Sequence, residues 1–271
     1  MLKADLHIHS TVSDGSETIE QILTMAEDKG LDFIAITEHD TLSHLSRISR
    51  LARETRVKVA GGVEISAVDP SNHLRAHILG YNIATPELVT ELTQPLLEAR
   101  SLNSETQAKI LIRHGYKIDL EKLKRADGKY LYKQHIMDYL TSTGQAKIMF
   151  GKFYNRVFKN GGVCDFDIEY VDVFKAVETV KKAGGQAVLA HSGQQQNFYL
   201  IPRLAECGLD GLELNHHSHS EEDKKLIRDY AEQYGLYLTG GSDYHGRYEP
   251  QPYGVGDFIS EESGARALCQ G

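Results

Sequence analysis

Thiols are scarce in this chain of 271 residues, which has three cysteines, Cys164, Cys207 and Cys269. An odd, widely separated trio makes neither a disulfide framework nor a thiolate zinc site, so small buried hydrophobes are their expected role. Long apolar runs are also lacking: none approaches the roughly 18 residues needed to cross a bilayer. The first expected strand begins within a few residues of Met1 and leaves no room for a cleavable leader, so a cytoplasmic protein without a membrane partner is expected. Net positive charge is absent. The formal charge is −8 with His neutral, which argues against a long basic track for duplex DNA, because phosphate contacts supply most of such affinity. Glycine-rich nucleotide loops are missing as well: "GGVE" and "GGSD" read as tight strand exits, not as GxGxxG or GxxxxGK[ST]. What remains is an ordinary globular composition, 41% hydrophobic and 25% charged, of a length that suits one large α/β domain or one such domain with an insertion.

Histidine is what the chain has in number, 13 of them, and imidazole is the commonest metal ligand. The opening stretch "ADLHIHSTVSDGSET" poses the question directly. With a strand period of two, Asp5, His7 and His9 are expected to share one face, with Leu6 and Ile8 on the other. An HxH pair alone fits a polar-alternating surface strand as well as a ligand pair, so its position in the fold has to decide.

Short apolar runs at 3–9, 32–37, 57–65, 74–83, 186–192, 209–215 and 235–243 read as strands. Helix-period stretches lie between them, such as "SETIEQILTMAEDKG", with Ile19, Ile22, Leu23 and Ala26 on one stripe and Gly30 as its stop. Strand–helix repetition of this kind argues for a parallel sheet, open or closed into a barrel. Residues 95–168 break the rhythm with Lys-, Arg-, Gln- and Tyr-rich helical patterns. The expected organisation is therefore a barrel from 1–94 and 169–271, with a helical insertion at 95–168 acting as a lid or recognition subdomain.

On that scaffold the polar residues gather. His7 and His9 end the first strand, with Asp14 beyond. Glu38, His39 and Asp40 follow the second, and Glu64 closes the third. His77 lies in the fourth, His191 ends the fifth, and Asp243 and His245 end the last. In a barrel those strand ends converge on one face. Imidazoles and carboxylates without thiolates suit Zn²⁺, Mn²⁺ or Fe²⁺. About nine such groups exceed what one ion takes, so two or three divalent ions are expected, and with them phosphoryl hydrolysis rather than redox chemistry.

In this order, "DLHIHSTVSDG", "ITEHDT", "GVEIS", "LAHS" and "GSDYHG" resemble the polymerase-and-histidinol-phosphatase (PHP) family of metal-dependent phosphoesterases over nearly the whole chain. The resemblance is narrower to the stand-alone group that dephosphorylates AMP or 3′,5′-bisphosphorylated nucleosides. It implies a distorted (β/α)7 TIM-like barrel, and three ions. One would be held by His7, His9, Glu64 and Asp243, a second by Glu64, His77 and His191, and a third by Asp14, His39 and His245. Hydroxide between two ions would attack phosphorus, with Glu64, Asp243 and His191 at the catalytic centre. Asp40 would orient a ligand histidine, and Glu38 would be a strand-end carboxylate.

The chain departs from the family pattern at "AHSGQQQ", where Ser192 stands for proline, and at Lys133–His135, "KQH", where Arg-Pro-His is usual. Arg100, Lys133 and His135 are candidate substrate contacts in the helical region. His217 and His219 of "NHHSHS" either face a phosphate or merely cap the next helix. Tyr116, Tyr130 and Tyr132 either stack on a base or pack the insertion. The expected activity is a phosphomonoesterase acting on a small phosphorylated metabolite, foremost a nucleotide. Histidinol-phosphate phosphatase and a 5′→3′ exoribonuclease on short RNA are the alternatives, and a non-catalytic metal-binding module is more remote. An amidohydrolase would show a lysine ligand near the fourth strand, where this chain has none.

Overall fold

The computed structural model describes residues 2–123, 130–248 and 253–269; residues 124–129 of the expected basic and tyrosine-rich stretch lie outside them. The strands are β1 (Ala4–Ile8), β2 (Phe33–His39), β3 (Lys58–Val68), β4 (Arg75–Tyr81), β5 (Val171–Asp172), β6 (Gln186–Leu189), β7 (Gly211–Asn215) and β8 (Tyr237–Gly240). They form one sheet in the order β1-β2-β3-β4-β6-β7-β8, with the short β5 beside β3. A parallel bridge from Ile8 to Tyr244, just past β8, brings the two edges together. The sheet is thus a nearly closed barrel, in keeping with the expected distorted TIM-like (β/α) barrel.

Helices α1 (Ile19–Asp28), α2 (Leu45–Leu51), α7 (Val173–Lys182), α9 (Ile201–Glu206) and α10 (Glu221–Tyr234) follow strands. The capping box at Thr18, in which its hydroxyl accepts from Gln21 N–H and the Gln21 side chain returns to the Thr18 amide, starts α1. A like box at Ser220 with Asp223 starts α10. Between β4 and β5 lie α3 (Pro86–Arg113), α4 (Leu120–Leu123), α5 (Lys133–Ser142) and α6 (Lys152–Phe158). Helix α3 runs through Pro95, so the expected start of the insertion falls inside one element. These helices have an apolar cluster of their own, including Leu111, Ile136, Met137, Leu140, Phe158 and Cys164. The remaining helices are α8 (Ser192–Gln195) and α11 (Glu262–Cys269).

The strand period sorts the barrel into inside and outside. Ile34 and Ile36 of β2 pack outward against Ile19 and Ile22 of α1. Their neighbours Phe33 and Ala35 join Leu79, Tyr81, Val188 and Ala190 in an inner cluster that Ala265 and Leu268 of α11 close from below. The lower barrel is therefore apolar and filled, which leaves polar groups to the upper end.

Two features depart from the sequence expectation. β4 is antiparallel to both β3 and β6, so the sheet is not wholly parallel. The short connection from Val68 to Arg75 permits only a hairpin, since a parallel crossover takes a dozen or more residues. β1 also shifts register between Asp5 and Ile8. Leu6 consequently joins the inner cluster and Ile8 the outer one, rather than sharing a face. Asp5 pairs opposite Ile34 and accepts from Ser242, Gly256 and the His7 amide. A bulge of this kind re-aims side chains beside a site.

Candidate metal centre

The upper end of the barrel gathers the candidate ligands around Glu64 of β3. Its Oε2 lies 3.3 Å from His7 Nε2, 3.1 Å from His9 Nε2 and 3.2 Å from His39 Nδ1. Its Oε1 meets His77 Nδ1 at 2.6 Å and His191 Nε2 at 2.9 Å. Asp243 Oδ1 closes the group, 3.3 Å from His7 Nε2 and 3.2 Å from His9 Nε2. On the other side of His9, Asp14 Oδ1 lies 3.4 Å from His245 Nε2, and Asp14 Oδ2 lies 3.7 Å from His39 Nε2. His77 stands near the start of β4, yet it is at the same end as the others because the strand is reversed: it pairs with Ser66, beyond Glu64 in β3.

Among the described residues, ligand-like atoms converge in groups His7–His9–Glu64–Asp243, His39–Glu64–His77, His9–Asp14–His39–His245 and His216–His217–Asp243. Hydrogen bonds account for only some of the polar atoms in these groups. His7 Nε2, both ring nitrogens of His9, His39 Nδ1, Glu64 Oε2 and Asp243 Oδ1 are buried without a hydrogen-bond partner. Buried polar atoms are ordinarily paired, and a divalent cation is the partner that imidazole nitrogens and carboxylate oxygens share. The residues fit such ions.

Charge is distributed accordingly. Burial alone would raise the Glu64 carboxyl, but His39, His77 and His7 hold it well below its usual value. Burial pushes His39 down to about 3 against the pull of Glu64 and Asp14, keeping a neutral ring with a free lone pair. Three members of this end, Asp40, His191 and Asp243, have positive φ of 58°, 25° and 48°. Non-glycine residues enter that region at some cost and do so most often at functional sites.

Two supporting residues escaped the sequence reading. Glu213 of β7 accepts from the His191 amide at 2.8 Å and faces His7 Nδ1 at 3.0 Å. Its signal was available: a glutamate inside the apolar run "LDGLELN", on the face opposite Leu212 and Leu214. His216 sets its Nε2 3.3 Å from Asp243 Oδ2 and its Nδ1 2.7 Å from Ser218 Oγ. Glu38 accepts from the Ser10 and Ser13 amides and so shapes the loop that carries Asp14. Asp40 does not orient an imidazole; it accepts from the Ser66 amide and hydroxyl and from Arg100.

A pocket of about 290 Å³ opens on the cluster, lined by His39, Glu64, His77, Gln134, Phe150, His191, Gln194, His217, Asp243, His245 and Tyr248. Of the expected substrate contacts, His217 lines it and stacks on Tyr253. Arg100 does not, since its guanidinium is joined to Asp40 and Ser66. Lys133 starts α5 with its ammonium over Phe158. His135 is buried, with Nδ1 accepting from the Tyr132 amide. His219 is turned into the fold, where Nε2 accepts from Gly193 N–H and Nδ1 faces the Leu214 carbonyl. Tyr132 is buried with its hydroxyl on the His39 carbonyl, and Tyr116 packs on Phe153.

A strand–helix barrel whose mouth concentrates imidazoles and carboxylates around unpaired buried atoms defines a metal-dependent barrel enzyme. The chain belongs to the PHP domain family, whose model matches residues 5–243. It is 43% identical over 254 residues to the phosphoribosyl 1,2-cyclic phosphate 1,2-diphosphodiesterase of Eggerthella lenta, covering 92% of this chain and 96% of that one. It is 29% identical over 256 residues to the 3′,5′-nucleoside bisphosphate phosphatase of Chromobacterium violaceum, covering 90% and 88%. The crystal structure of a Bifidobacterium adolescentis chain assigned as a metal-dependent phosphoesterase superposes with a TM-score of 0.88 at 25% identity, covering 99% and 96%. The protein is thus a metal-dependent phosphoesterase. The relatives' names include a diesterase, so the class is wider than the monoesterase expected from the sequence. Among the described residues no helix is long and apolar enough to cross a membrane.

Proposed function

We propose that the protein hydrolyses a cyclic phosphodiester on a phosphorylated pentose. The observation that carries this reading is the 43% identity to the Eggerthella enzyme across nearly the full length of both chains. The pocket supports it: about 290 Å³ lies at the small end of ordinary ligand sites, about 300–1,000 Å³, and suits one sugar phosphate. His7, His9, Glu64 and Asp243 would hold one cation, Glu64, His77 and His191 a second, and Asp14, His39 and His245 a third. Divalent cations bound there supply Lewis acidity toward a phosphoryl oxygen and charge neutralisation. Glu64 and Asp243 keep their carboxylates ionised for that purpose, and Glu213 holds the His7 ring in one tautomer. His217 and Gln194 face the same space and donate hydrogen bonds to phosphate or hydroxyl oxygens. In the reaction, water adds to phosphorus, one ester P–O bond breaks, and the departing sugar oxygen takes a proton.

A second reading, phosphate release from AMP or a 3′,5′-bisphosphorylated nucleoside, is favoured by Phe150 in the pocket wall, whose exposed ring offers a face to a base. An RNA strand fits a pocket of this size and a chain of this charge less well, and no lining residue singles out histidinol phosphate. The test is product formation by Mn²⁺-loaded protein on phosphoribosyl 1,2-cyclic phosphate, 5′-AMP, adenosine 3′,5′-bisphosphate, a 5′-phosphorylated RNA dinucleotide and L-histidinol phosphate. The highest kcat/KM is expected on the cyclic phosphate. Turnover of the nucleotides alone would replace this reading with the second.

A further inference from the structure

Among the described residues, hydrogen bonds link the helices between β4 and β5 to the metal end at Gln134, Tyr132, Arg100 and Asp138, and these contacts fall on or beside Asp14, His39 and His245. Gln134, at the start of α5, donates from Nε2 to Asp14 Oδ2 at 2.6 Å. Tyr132, immediately before α5, donates its hydroxyl to the His39 carbonyl at 3.0 Å. Arg100 of α3 donates to Asp40 Oδ2 at 2.7 Å and to Ser66 Oγ at 2.9 Å, and its guanidinium lies over the Tyr132 ring at 5.5 Å. Asp138 of α5 receives Arg247 and the Tyr248 hydroxyl, two and three residues beyond His245. Asp14, His39 and His245 are therefore each tied to the helical segment directly or through a chain neighbour. The nearest counterpart for the Glu64 group is different in kind: His7 and His191 are steadied by Glu213 from within the barrel.

The geometry matters because two of these three residues, Asp14 and His245, stand on loops, while His39 ends β2. Asp14 follows β1 by six residues, His245 follows β8 by five, and Asp40 sits at φ 58°. Loop ligands are held less firmly than ligands on strands. Gln134 fixes one carboxylate oxygen of Asp14 and leaves Oδ1 directed at His245 and, at 3.8 Å, at His9 Nδ1. Tyr132 and Arg100 together fix the turn that aims the His39 ring.

We infer that the helical segment steadies the Asp14–His39–His245 cation position, with Gln134, Tyr132 and Arg100 as positioning residues; His39 is shared with Glu64 at 3.2 Å, so the segment acts most directly at Asp14, while Glu213 within the barrel steadies the His7 and His191 side. This rests on the reading that these groups bind divalent cations. Removing a group that orients a metal ligand costs about 10–100-fold in affinity, so each change should weaken one ion most, and Gln134, which touches Asp14 alone, should be the most selective.

The test is Mn²⁺ titration of the metal-stripped full chain by calorimetry, with bound Mn²⁺ per chain counted after gel filtration. The variants are Gln134→Leu and Tyr132→Phe, with Lys152→Ala on the outer face of α6 as a control. The wild type is expected to bind three ions. Gln134→Leu should weaken one of them about 10–100-fold and leave the others unchanged, and Tyr132→Phe should weaken the same ion by a like factor and the others less, with kcat reduced more than KM is raised. Far-UV circular dichroism and an unchanged affinity at the remaining sites show that the variants are folded. Variants that titrate like the wild type overturn the inference, as does equal weakening of all ions. A wild type that binds no Mn²⁺ overturns the cation reading beneath it.

Discussion

Glu213 carries a consequence out of proportion to its distance from substrate, because one carboxylate orients both His7 and the backbone of His191. Burial would raise its pKa, yet His7 holds it down to about 2, so it is an anion at working pH. Glu213→Gln keeps the shape and removes the charge. We expect about 10–100-fold weaker Mn²⁺ binding at the Glu64-centred group with a near-wild-type melting temperature, measured by titration and calorimetry. Gly241 is constrained in another way. A Cβ there would lie 2.3 Å from His7 Cβ and 2.4 Å from its amide nitrogen, and backbone cannot swing aside as a side-chain tip can. Gly241→Ala should destabilise by about 1–3 kcal/mol, as overpacking does, and should also lower Mn²⁺ affinity because it displaces His7. A thermal or urea unfolding series checks the first, and titration the second. The individual candidate ligands were legible in the sequence because HxH, "GVEIS" and "GSDYHG" end strands. Glu213 and His216 were passed over because neither sits in a spaced pair with another ligand type.

At the scale of the element, the period-two reading of β1 placed His7 and His9 together at the barrel mouth, where both meet Glu64, and failed for their neighbours. It mis-assigned Asp5, Leu6 and Ile8, because one inserted residue flips every side chain beyond it, and a bulge leaves no mark in composition. The reversal of β4 was equally hidden, although it is what brings His77 to the mouth. The helical segment meets the barrel through an ion pair: Arg75 of β4 pairs with Asp167, which also feels Lys133. Burial raises the Asp167 carboxyl, but Lys133, Arg75 and the Ile168 amide outweigh it, and its pKa lies below the ordinary carboxylate value. The folded state thus binds this proton less readily than the unfolded chain. The pair stabilises fully above the unfolded value of about 4, and the contribution is lost as pH falls through the lower folded value. Arg75 is 45% exposed, which limits the contribution to about 0–1 kcal/mol. Asp167→Asn should lower stability by that amount at pH 7, with the difference from wild type closing below about pH 4. Urea midpoints across pH 3–7 measure it.

For the molecule as a whole, the metal end is a standing cost of the fold. The barrel buries Glu64, Asp14 and Asp243 among seven imidazoles, His7, His9, His39, His77, His191, His216 and His245, and leaves several of their atoms unpaired. An unpartnered polar group in the interior costs about 1–3 kcal/mol, more when charged. The apolar layer of Leu6, Phe33, Leu79 and Tyr81 beneath it holds the strands together, so the chain should remain folded when stripped of metal, though weakened at its upper end. Ions that bind only the folded form add RT ln(1 + [L]/Kd), about 2.7 kcal/mol at one hundred times Kd for each site. For a chain of this size each kcal/mol moves the melting temperature by about 2–4 °C. Chelation should therefore lower the melting temperature by about 5–10 °C per ion lost, and Mn²⁺ added back should restore it in a concentration-dependent way. Hydrogen exchange would place the loosening: amides of β1, β8 and the 10–18 loop should lose protection on chelation, while those of α7 and α10, which pack on the outer face, should keep theirs. An unchanged melting temperature with the metal removed would mean that the unpaired atoms are satisfied by water instead, and that the ions contribute nothing to the fold.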